Sequence, residues 1–177
     1  MRCIKDFFRY MQQVYPHNLE EIKTGKTIQR RLMDDDMPER LNEILNQYLE
    51  FENINIKVKL GPSYNRSLNP WIQLYTDENY KGTKGHYAGL SFEKEGYVSA
   101  WLGFGRSFMK KLEIIETRNK YIREYAEIEN ELKHGFKYNQ VFIEAVIISK
   151  TYKIKGFSEE EFYSDMEYLI DLYKKHE

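Results

Sequence analysis

KGHYAGLSFEKEGYVSAWLGFG, residues 84–105, is the stretch on which the fold turns. It reads as two strands, 86–93 and 97–104, joined by a turn at Glu95-Gly96. Such short runs bounded by glycine and charge are the mark of a β-hairpin. Upstream lies VKLGPSYNRSLNPWIQLY, residues 58–75. Ile54, Ile56, Val58 and Leu60 alternate with Asn55, Lys57 and Lys59, which predicts a half-exposed strand. A Gly-Pro-Ser-Tyr-Asn loop, within 61–70, leads to a strand at 71–76 opened by Pro70-Trp71. Residues 77–85 hold Asp, Asn and two Gly and read as a loop.

Helical patterns lie on both sides of these strands. Ile4, Phe7, Phe8, Met11, Val14 and Tyr15 share one helical face, and Pro16 ends it. Asp36, Pro38 and Glu39 open a second helix with Leu41, Ile44, Leu45, Tyr48 and Leu49 inward. Ser107 can cap a long helix to about residue 132, with Leu112, Ile115, Ile122 and Ala126 inward. Residues 133–139 form a basic, aromatic loop, and Val141 to Ile148 reads as a buried strand. Ser158 and Glu161 start a last helix that buries Phe162, Met166, Leu169, Ile170 and Tyr173. The order α-α-β-β-β-β-α-β-α predicts an α+β fold, a curved, mostly antiparallel sheet with helices packed against it. The length suits one domain, 1–177, with a helical part at 1–52 and the sheet and pocket at 53–177.

Composition excludes several classes. No run of 18 apolar residues offers a membrane span. The first residues, MRCIKDFFRYMQQVYP, carry charge throughout and lack a cleavage-site pattern, so no signal peptide is expected. Cys3 is the single cysteine, which excludes an internal disulfide and suits the cytoplasm. With four scattered histidines it supplies no zinc ligand set, and neither a metal nor another cofactor is expected. No phosphate-cradling loop and no H-E-x-x-H occurs. Glu144, inside an apolar strand, is the most unusual carboxylate, and it reads as paired or on a wet face. No nucleophile–base arrangement is evident, so no catalytic residue is assigned and the chain reads as a non-enzyme.

The net charge of −1 conceals a division. Residues 53–111 carry nine Lys and Arg against four acids, and 133–155 carry five Lys against Glu144. The other segments are all net negative. A preference of Glu for helices is one explanation; a basic face for a polyanion is the other. Trp71, Tyr64, Tyr87, Tyr97, Trp101, Phe136 and Tyr138 are interleaved with Arg66, Lys84, Arg106 and Lys137. Stacking rings beside cations are what nucleic-acid binding requires.

The order of several short motifs resembles the McrB-like N-terminal DNA-binding domains, the recognition part of modification-dependent (type IV) restriction systems in phage defence. The matching residues are Val58-Lys59-Leu60, the loop ending in Asn65, Pro70-Trp71-Ile72, Gly85-x-Tyr87, Leu102-Gly103-Phe104-Gly105, Lys137-Tyr138-x-Gln140 and the helix from Asp165 to Tyr173. The resemblance implies a reader of methylated or otherwise modified cytosine, flipped from duplex DNA into an aromatic pocket. It makes Trp71 and Tyr138 pocket residues, with Ser63 or Tyr64 as one wall and Tyr87 or the Leu90-Ser91 pair as another. Arg66, Lys84, Arg106 and Lys137 would hold the DNA backbone. The loop carries Pro62-Ser63-Tyr64 where the family often has more glycine. The family also implies a GTPase motor, fused or separate, and a nuclease subunit as partners, so the chain reads as a recognition module apart from both. Flipping costs a few kcal/mol, stacking returns roughly 1–3 kcal/mol per base, and one methyl adds only about 0.8 kcal/mol. Pocket shape must therefore carry much of the discrimination. The rival reading is a small-molecule or protein-interaction module using the same aromatic cleft.

Overall fold

The computed structural model describes residues 3–12, 37–48, 57–60, 71–75, 86–93, 96–105, 109–139 and 145–176. Among them, a helix through 4–12 (α1) and α2 (Met37–Tyr48) precede four strands, β1 (Lys57–Leu60), β2 (Trp71–Tyr75), β3 (His86–Glu93) and β4 (Tyr97–Phe104). Then come α3 (Lys111–Ile128), β5 (Lys137–Tyr138), β6 (Val146–Lys153) and α4 (Glu159–Lys175). The strands form one sheet in the order β1-β2-β3-β4-β6-β5, and every neighbouring pair is antiparallel. The fold is α+β, as the element order predicts.

The β3–β4 hairpin forms where the alternation places it. Gly96 takes φ +84° at the turn, a left-handed conformation that costs glycine little. Full register runs from His86↔Phe104 to Glu93↔Tyr97. Ala88, Leu90 and Phe92 of β3 then face the same way as Val98, Ala100, Leu102 and Phe104 of β4, and all are buried. Ile72 and Leu74 of β2, and Ile148 and Tyr152 of β6, extend this face across the sheet.

All four helices among the described residues cover that one face. Ile4, Phe7, Phe8 and Met11 of α1, Leu41, Ile44 and Leu45 of α2, Ile114 and Tyr125 of α3, and the inner stripe of α4 join the same apolar cluster. Helical residues before position 53 thus share a single core with the sheet. Phe8 stands at its centre, with ring centroids 5.6 Å from Phe92, 5.5 Å from Phe157 and 5.2 Å from Phe162. Helix α4 starts as its sequence predicts. The Ser158 hydroxyl accepts the Glu161 N–H at 3.3 Å, and Phe162, Met166, Leu169, Ile170 and Tyr173 are buried.

Two elements differ from expectation. Helix α3 begins at Lys111 rather than after Ser107, whose own structure lies outside the described residues, and it ends at Ile128. Its first turn is closed by the Glu113 carboxylate, which accepts the Lys110 N–H at 2.7 Å. Leu112 is 66% exposed; Ile114 and Tyr125 are the buried residues. Of the strand expected over 141–148, residues 141–144 lie outside the described residues, and β6 spans Val146–Lys153. It continues past Ile148 because its polar half alternates faces. Lys150 reaches Asp165 and Tyr152 packs on Phe162, while Ser149 and Thr151 turn to the other side. Glu144 lies outside the described residues.

At one end of the helix layer, the His86 ring is packed among Tyr121, Tyr125, Tyr173 and His176, with centroids 5.0–5.5 Å away. Its Nε2 lies 2.5 Å from the Tyr125 hydroxyl. His176 in turn meets the Glu124 carboxylate at 2.9 Å, joining the end of α4 to α3.

Candidate functional site: the sheet face opposite the helix layer

Because strand side chains alternate, every residue turned away from the core belongs to a second face. No helix among the described residues covers it. Register builds its composition. Trp71 pairs with Ser91, Gln73 with Gly89, Gly89 with Trp101, and Trp101 with Ser149. Ser99 stands beside Thr151, and their hydroxyls meet at 2.7 Å. Tyr97 pairs with Lys153, and Lys137 with Ser149. Lys57 and Lys59, opposite Tyr75 and Gln73, hold positions of the same set on the far edge strand.

The middle of this face is filled by one ring. The Trp101 indole lies over Gly89, where a Cβ would come within 2.4 Å of it, while at Gly103 a Cβ would first meet the Ala145 carbonyl at 2.5 Å and then the indole at 3.1 Å. Glycine at 89 is what lets the ring lie flat on the sheet, and glycine at 103 admits the neighbouring backbone. Tyr87 meets it edge-on at 5.6 Å. Gln73, Ser99 and Trp101 are buried, Tyr87, Ser91 and Tyr97 are half-buried, and Thr151, Lys153 and Lys137 are exposed at the margin. Tyr87, Ser99 and Trp101 all have protein partners, so they form the wall of this face.

This arrangement divides the residues the sequence proposes. By register, Trp71, Tyr87 and Ser91 hold positions on this second face. Leu90 does not: it is fully buried on the opposite face, paired with Ile72 and Ala100. Tyr138 is separated too. It pairs with Ile148, on the core side, and packs against the core cluster. Its hydroxyl donates to the Glu129 carbonyl at 3.0 Å, and burial raises its pKa. Trp71 is on β2 and Tyr138 on β5, four strands apart in the sheet order, which at about 4.8 Å per strand is roughly 19 Å. The two cannot sandwich one base in this register. Ser63, Tyr64, Arg66, Lys84 and Arg106 lie outside the described residues.

Lys137 is exposed, and with Tyr138, Phe136, Leu132 and Asn130 it lines an open cavity of ≈ 430 Å³ beside β5. Among the described residues no group of His, Cys, Asp and Glu could hold a metal ion, and no helix is long and apolar enough to cross a membrane. Sequence reading missed a buried carboxylate, Asp165, although its place in the amphipathic stripe of α4 was visible as an acid between Phe162 and Met166. Family models, curated proteins and solved structures offer no match to the chain.

Proposed function

We propose that the chain is a DNA-recognition module that applies the sheet face opposite the helix layer to duplex DNA and reads a modified cytosine flipped against it. The carrying observation is that register gathers Trp71, Tyr87, Ser91 and Trp101 on one face with lysine positions at both sheet edges, Lys57 and Lys59 on β1 and Lys137 and Lys153 on β5 and β6. In this reading Trp71 and Ser91 meet the base, Tyr87 and Trp101 form the wall behind, and the lysines hold phosphates. Tyr138 becomes a support beneath Lys137 rather than a stacking ring. GTP hydrolysis and cleavage belong to other domains or subunits of a restriction system. The chain itself performs recognition.

Binding curves for duplexes differing in one cytosine modification, each at three salt concentrations, test this. Retention should fall steeply from low to moderate salt. Lys137→Ala should weaken modified and unmodified duplex by similar factors and lower the salt slope by about one. Trp71→Ala should change the ratio between the two duplexes, because base contacts carry the sequence information and phosphate contacts do not. Salt-insensitive retention, or none at low salt, would remove DNA as the ligand and leave the aromatic face to a small molecule or a protein.

A further inference from the structure

Strand β5 is too short to hold its own place. It has two residues, and the turn before it carries two consecutive left-handed residues, His134 at φ 56° and Gly135 at φ 77°. Such a conformation at a non-glycine residue is strained and persists only where the surroundings enforce it. The enforcement comes from α4. The Tyr168 hydroxyl accepts the Lys133 N–H at 3.0 Å, and its ring stacks on His134 at 5.1 Å and tilts against Phe136 at 5.8 Å. Burial pushes that hydroxyl up to about 12, so it stays protonated and keeps its lone pairs for the backbone. One turn earlier on the same helix face, Asp165 is fully buried. Its Oδ2 accepts from Lys150 Nζ at 2.5 Å and from the Tyr152 hydroxyl at 2.8 Å, both on β6. Its Oδ1 lies 3.1 Å from His134 Nδ1, close against the turn but outside hydrogen-bond geometry.

One carboxylate therefore joins α4, β6 and the strained turn. Burying such a charge is costly, and a buried ion pair is poor evidence for stability, since apolar residues often do as well. Burial also works against the Lys150 charge, and its pKa is raised in spite of that by hydrogen bonds to Asp165 and Glu161 and by the negative charge of both. Charge at this point is better understood as fixing position. We propose that Asp165 and Tyr168 are positioning residues that clamp the 133–138 segment and so set where Lys137 stands for DNA. The proposal rests on the DNA reading above.

Amide hydrogen exchange and duplex retention, measured together on the whole chain, test it. Tyr168→Phe removes one acceptor and keeps the ring, so the fold should survive. The Asn139 amide, which donates to the Ile147 carbonyl at 2.8 Å, should exchange about tenfold faster in Tyr168→Phe, with β3–β4 amides unchanged. Retention of modified and unmodified duplex should fall together. Asp165→Asn should do the same more strongly, and if that variant fails to fold, Tyr168→Phe alone decides. Unchanged Asn139 exchange, or equal acceleration throughout the hairpin, would overturn the clamp. So would faster local exchange with DNA affinity intact. A parent protein that retains no DNA sinks the DNA reading, and the exchange data separate that failure from a failure of the clamp.

Discussion

His86 shows how a single enclosed ring ties this fold to pH. The residue keeps some accessible surface, yet its imidazole is surrounded by three tyrosines and His176. Burial, with the neighbouring His176 second, pushes its pKa down to about 3. The unfolded chain takes up a proton here near 6.5, and the folded chain does not until about 3. Stability is thus whole above 6.5 and declines as pH falls between those values. The decline has an upper limit of about 1.4 kcal/mol per pH unit. Thermal unfolding at pH 7.0 and 5.5 should show this loss, and His86→Gln, which retains an acceptor for Tyr125, should show less of it. Equal slopes in both proteins would assign the acid sensitivity elsewhere.

Among the elements, the hairpin and α4 were legible in the sequence, and α3 and β6 only in part. The hairpin shows because both strands carry apolar residues at every second position and the turn carries Gly96. Helix α4 shows because its serine cap, acidic first turn and apolar stripe agree. Replacing Ser158 by Ala should therefore cost about 1 kcal/mol of stability, readable by denaturant unfolding, since the Glu161 N–H loses its acceptor. Helix α3 misleads because its packing face is aromatic and titratable. Tyr121 lies against Phe104 and His86, and Tyr125 against His86, while the more apolar Leu112 points to water. Strand β6 misleads because Lys150 points inward to a carboxylate that sequence leaves 15 residues away. The pairing of Trp71 with Tyr138 went astray for a similar reason. Which face Trp71 and Tyr138 occupy is set by register between strands distant in sequence, and no local pattern reports it.

At the scale of the whole molecule, layering turns a near-neutral chain into a polar plate. Lys137 and Lys153 are exposed at the strand margin, while on α3 and α4 in the helix layer the exposed acids Glu113, Glu116, Glu127, Glu160, Glu161, Glu167 and Asp171 outnumber the exposed cations Lys111, Lys120, Arg123 and Lys175. Net charge of −1 averages these and describes neither. In a chromatography column the molecule should behave as two adsorbents back to back. Near neutral pH and low ionic strength it should be held by cation-exchange and by anion-exchange resin alike, presenting a different layer to each. Reversing Lys137 and Lys153 to Glu should abolish retention on the first and strengthen it on the second. Passage of the parent protein through the cation exchanger unretarded would show that its positive charge is dispersed.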